Sequence, residues 1–103
     1  MSARTNDLDV LKATVQLKHK CKAVHAESVR VVERSQGRTV WKGMVEVFEL
    51  AGHASAMRCY AWIEIPSGAE RQCVSILQKG LVISPETAVK GWLASRSVTI
   101  DPV

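Results

Sequence analysis

The run from Ala56 to Ile65 constrains this chain more than any other. Met57, Cys59, Ala61, Ile63 and Ile65 share one parity, and Arg58, Tyr60, Trp62 and Glu64 share the other. Successive side chains of a strand point to opposite faces. Alternation this clean predicts a strand with one buried face and one partly solvated face. Thr39 to Leu50 reads as a longer strand with apolar residues on both faces, as an interior strand has. Trp41, Val45 and Val47 lie on one side, and Val40, Met44 and Phe48 on the other. In the segment from Ser28 to Arg34, Val29 and Val31 alternate with Arg30. Gln36-Gly37 supplies a turn between these two strands, because glycine takes positive φ freely. Arg71 to Leu77 is a further strand, with Val74 and Ile76 toward the core. Ala51-Gly52-His53 and Pro66-Ser67-Gly68 are the remaining breaks.

Helices flank the strands. Ser84 is an N-cap residue, Pro85 suits the first helical position, and Glu86 suits the positive end of the dipole. Ala88, Val89, Trp92 and Leu93 then form an apolar stripe. Near the N-terminus both periods fit. As a strand, Leu11, Ala13, Val15 and Leu17 alternate with lysines and polar residues. As a helix, Val10, Ala13, Leu17, Cys21 and Val24 share a side. Asn6 as a cap and Asp7 and Asp9 behind it favour a helix over residues 7–20. The order is helix, three or four antiparallel strands, helix. That predicts an α+β fold, a two-layer sandwich with both helices on one face of the sheet.

The 103 residues fit one domain, with residues 1–6 and 97–103 expected to be flexible tails. An apolar fraction of 47% with 23% charged residues is that of a packed globule and excludes extended disorder. The three cysteines, Cys21, Cys59 and Cys73, are odd in number and form no C-x-x-C pair. There is no apolar signal core and no apolar run near the ~18 residues of a membrane span. The expectation is a reduced, cytoplasmic protein without membrane association, its cysteines acting as small buried hydrophobes.

The element order resembles the double-stranded-RNA-binding fold. That family carries a basic cluster at the start of its second helix, where this chain has Ser84-Pro85-Glu86-Thr87 and then Lys90. The run from Gly37 to His53, GRTVWKGMVEVFELAGH, is similar to a family of small uncharacterised bacterial proteins. So are Arg58-Cys59-Tyr60-Ala61-Trp62 and Ser84-Pro85 leading into Ala88-Val89. The likeness spans about Leu8 to Ala94. It implies a bacterial origin and a small α+β domain. Relatives carry Pro and Lys after the histidine, where this chain has Ala54, Ser55 and Ala56.

Two surfaces are candidate sites. Arg58, Tyr60 and Trp62, with Trp41 on the adjacent strand, form an aromatic face. Such a face suits a homodimer or protein partner, since Tyr, Trp and Arg are interface-rich. It also suits base stacking. Lys12, Lys18, Lys20 and Lys22, with His19 and His25 among them and no acid from Val10 to Ala26, form a basic patch of phosphate-binding character within a net charge of +4. Cys21, His25, Cys59, Cys73, His19 and His53 lack the paired spacing of a zinc site. A Cys–His nucleophile pair among them has no carboxylate or oxyanion marker. No cofactor motif is present. The leading expectation is a non-catalytic interaction module using the aromatic face. A weak nucleic-acid binder using that face or the lysine patch comes next, and a small-molecule-binding or enzymatic domain last.

Overall fold

The computed structural model describes residues 3–65 and 70–100, with side chains described from 7 to 65 and from 70 to 95. Helix α1 (Ala3–His19) leads into strands β1 (Lys22–Ser35), β2 (Arg38–Ala51), β3 (Arg58–Glu64) and β4 (Gln72–Leu77), followed by helix α2 (Pro85–Ile100). The strands form one antiparallel sheet in the order β1-β2-β3-β4. The α+β class, the element order and the antiparallel sheet agree with the sequence reading. The expected turn at Pro66-Ser67-Gly68 lies outside the described residues, as do the side chains of the expected tails. Helix α1 begins at Ala3 and so already includes Asn6, which is not its cap.

Local chemistry explains the boundaries. Ser35 pairs with Arg38 across a two-residue loop, and Gln36 and Gly37 have φ of 54° and 79°. Positive φ at both positions is the type I′ hairpin turn, whose twist matches that of the strands. The Ser84 hydroxyl accepts the Thr87 N–H at 3.2 Å, and the Thr87 hydroxyl oxygen accepts the Ser84 N–H at 2.9 Å. This is a reciprocal capping box with threonine in the acidic residue's place. At the end of α1, Lys20 takes φ 53° and the Cys21 N–H donates to the Gln16 carbonyl at 3.3 Å. That is the closing bond of a Schellman motif, with lysine where glycine is usual. The Gln16 side chain then accepts the Ala23 N–H at 3.1 Å and sets the chain's direction into β1.

The helices take opposite faces of the sheet, which corrects the expected two-layer stacking. Leu11 and Val15 of α1 cover Ala23, Phe48, Cys59 and Ala61. Ala88 and Val89 of α2, with Trp92 and Leu93, cover Val31, Val45, Val47, Tyr60 and Trp62. The physical reason is visible in β2 and β3, which carry apolar side chains on both parities. Each apolar face must be covered, so one helix goes to each. Strand β1 serves both layers. A register shift between His25 and Glu27 moves its inward residues from the Ala23 side to the Val29 and Val31 side.

The inward stripe of α1 also differs from expectation. Leu8, Leu11 and Val15 face the sheet, while Val10 is 50% and Leu17 77% exposed. Both stripes have helical spacing. Cys21 and Val24, which continue the outer spacing in sequence, lie beyond the end of the helix.

Candidate functional site

The aromatic face is interior. Tyr60 and Trp62 are each 1% exposed, and Trp41 is half-buried. The ring of Trp62 meets Trp41 and Trp92 edge-to-face, with centroids 5.6 Å apart in each case. The Glu64 carboxylate accepts the indole N–H of Trp62 at 3.0 Å and that of Trp41 as well. Gly43 leaves room for this arrangement, since a Cβ there would stand 3.0 Å from the Trp41 ring. Burial pushes the Tyr60 hydroxyl above its ordinary pKa, against the pull of Arg58 beside it. The docking and base-stacking face proposed from Arg58, Tyr60, Trp62 and Trp41 is therefore corrected. Helix α2 folds back over it, leaving Trp41 half-buried and Arg58 exposed, 3.7 Å from Glu49.

The lysine patch remains at the surface. Lys12, Lys18, Lys20 and Lys22 are all exposed. Lys18, Lys20 and Lys22 gather where α1 ends and β1 begins. Lys12 lies six residues back, about 9 Å along the helix axis. Further groups join from distant parts of the chain. Lys22 pairs in register with Ala51, just before the turn that holds His53. The rings of His19 and His53 meet edge-to-face at 6.1 Å. Lys79, in the segment after β4, adds its field to that of Lys18 around His19. The Gln78 N–H donates to the Arg58 carbonyl at 2.9 Å, holding that segment beside β3. One pole of the molecule thus collects Lys18, His19, Lys20, Lys22, His53 and Lys79. Residues 10–26, 50–63 and 77–85, which build it, contain no Asp or Glu.

Several of the acids are engaged elsewhere. Glu46 accepts from His25 at 2.8 Å and from the Ser28 hydroxyl. Glu33 lies 4.0 Å from Lys90, and Asp7 pairs with Arg71. Among the described residues, no ion pair involves Lys18, Lys20, Lys22 or Lys79. The Lys18 ammonium instead donates to the Ser75 carbonyl at 3.3 Å.

The histidines of the pole are held in place. His53 Nδ1 accepts the N–H groups of Ser55 at 3.1 Å and Ala56 at 3.0 Å, which shapes the β2–β3 turn. His19 Nε2 is 2.6 Å from the Ser75 hydroxyl, which is 3.0 Å from the Cys59 thiol. Burial, reinforced by Lys18, His53 and Lys79, lowers the pKa of His19 below its ordinary value. Burial raises that of the Cys59 thiol, so Cys59 stays a buried thiol and not a thiolate nucleophile. Among the described residues, no group of three His, Cys, Asp or Glu side chains is placed to hold a metal ion.

Sequence reasoning found the three lysines at the α1–β1 junction but not Lys79, 57 positions beyond Lys22 in the chain. Its only sequence signal is the acid-free stretch around it. No helix among the described residues is long and apolar enough to cross a membrane. No protein family, curated protein or solved structure matches the chain.

Proposed function

We propose that this chain is a small non-catalytic module that binds the phosphate backbone of nucleic acid through its basic pole. The observation that carries this reading is the gathering of Lys18, Lys20, Lys22 and Lys79 at one end with no acidic partner among the described residues. Like charges within a Debye length of about 10 Å repel one another, and an anion relieves that repulsion. The cations come from the end of α1, the start of β1 and the segment after β4. An array spread over three segments suits a repeating line of phosphates better than one small anion. The burial of Tyr60 and Trp62 removes the aromatic platforms that single-strand binders use. The contacts left are to backbone, so binding is independent of sequence and no weaker to a duplex than to a single strand.

Fluorescence anisotropy with labelled duplex RNA, duplex DNA and single-stranded RNA tests this. Four lysine contacts predict a slope of log affinity against log salt of roughly −3 to −4. Replacing Lys18, Lys20 and Lys22 together with Ala should flatten that slope to roughly −1. No binding at about 50 mM salt, where such contacts are strongest, would overturn the reading.

A further inference from the structure

We infer that the basic pole is proton-coupled: an anion seated there draws a proton onto His19, so acid strengthens binding. This rests on the polyanion-binding reading above. The geometry assigns the role to His19 and to no other histidine. His25 Nε2 is occupied by the Glu46 carboxylate at 2.8 Å. His53 spends Nδ1 on the backbone of its own turn. His19 lies at the last position of α1, flanked by exposed lysines, and its Nε2 faces only the Ser75 hydroxyl at 2.6 Å.

The groups around His19 make the coupling one-directional. Lys18 lies on its own helix, His53 comes from the β2–β3 turn, and Lys79 from the segment after β4. On the sheet beneath it are Ser75 of β4 and, hydrogen-bonded to that hydroxyl, the thiol of Cys59 on β3. None of these is an anion, and burial with the field of the neighbouring cations disfavours the imidazolium. A phosphate bound among Lys18, Lys20 and Lys79 reverses the local field and favours the imidazolium. The Ser75 hydroxyl accommodates either state. It donates to the neutral ring nitrogen and accepts from the protonated one. By linkage, an anion that raises the pKa of His19 must bind more tightly once that proton is on.

The test uses the full chain and a labelled RNA duplex of about 16 base pairs, long enough for two successive minor grooves. Affinity is measured by anisotropy from about pH 8 to about pH 5.5 at constant ionic strength. A one-unit rise in the pKa of His19 on binding predicts progressively tighter binding toward the acid end, approaching about tenfold once the pH is below the pKa of the unbound protein. The His19→Gln variant keeps a hydrogen-bonding side chain toward Ser75 and should bind equally at both pH values. Histidine ring signals in NMR should show His19 titrating at higher pH with the duplex than without it. Binding that is pH-independent in the natural chain would overturn the coupling and leave the phosphate-binding reading standing. A pH dependence that persists in the His19→Gln variant would also overturn it. No binding at any pH would overturn both.

Discussion

Replacing Trp62 with Phe separates core from surface on the strand that first suggested a docking face. Phe keeps an aromatic ring against Trp41 and Trp92 but loses the indole N–H that donates to Glu64 at 3.0 Å. A hydrogen bond to a charged group contributes about 1.5–3 kcal/mol. Glu64 retains the Trp41 N–H, which places the loss toward the lower end of that range. The smaller ring leaves a void, and cavities in rigid cores add to the cost. The sum is about 2–3 kcal/mol, below the 3–5 kcal/mol of a Trp→Ala truncation. Urea unfolding followed by far-UV circular dichroism measures it, with the slope against denaturant checked for constancy. The control is Glu49→Ala, an exposed position on the neighbouring strand β2. Its ion pair spans 3.7 Å between side chains that are 45% and 59% exposed. Exposed pairs of this kind contribute about 0–1 kcal/mol, so the control should barely move. A Trp62→Phe protein within about 0.5 kcal/mol of the natural chain would refute the buried, hydrogen-bonded placement of the ring.

Three further changes follow from backbone geometry and charge. Lys20→Gly should stabilise by about 1 kcal/mol, because Lys20 holds φ 53° at a position that disfavours any Cβ. Thermal unfolding should show the midpoint rising, and a fall would mean that the lysine side chain has a structural contact. Gly91→Ala lies within α2, where an added Cβ meets nothing within 4 Å. It should gain about 0.4–1 kcal/mol, which in a domain of this size raises the midpoint by a few degrees. The pKa of His19 is lowered on folding, so the unfolded chain binds the proton more readily. Stability should be level above the ordinary histidine range and fall as pH drops through 6.5 toward the folded value. Unfolding series at several pH values should show a smaller fall for His19→Gln.

What was legible in the sequence followed from short-range chemistry. Ser84, Pro85 and Glu86 announce the start of α2 within three residues, and Gln36-Gly37 announces a tight hairpin within two. Both are settled by bonds between near neighbours. The strand alternation in β3 was equally clear, because period two is a local property. What it could not say is which layer covers which parity. Tyr60 and Trp62 look solvent-facing beside Arg58 and Glu64, yet α2 returns from more than 20 positions along the chain to bury them. The expected stripe of Val10, Ala13 and Leu17 on α1 gave way to Leu8, Leu11 and Val15 for the same reason. Helical spacing permits both, and only the placement of the sheet decides. The basic pole was half legible. Its lysines are contiguous in sequence at the α1–β1 junction, whereas Lys79 and His53 join them through the meander.

A competing account of the pole's charge is the dipole of α1. Cations in the last helical turn are stabilised by the exposed carbonyls there, typically by about 0.3–1 kcal/mol each. That explains Lys18, which lies in the last turn. It does not explain Lys22, which belongs to β1, or Lys79, which follows β4. Neither is bonded to the carbonyls of α1, and each adds to the repulsion felt at His19 or at the α1–β1 junction. A fold that needed only a capped helix would place acids, not lysines, around those two residues. The two accounts differ in what Lys79→Glu should do. An acid there relieves the repulsion, so stability should hold or rise. The phosphate-binding reading requires that affinity for a duplex fall and its salt slope shrink by about one to two, as one contact is lost and a repulsive charge appears. Equal duplex affinity in the Lys79→Glu protein would leave the dipole account sufficient for the α1 end and remove Lys79 from the site.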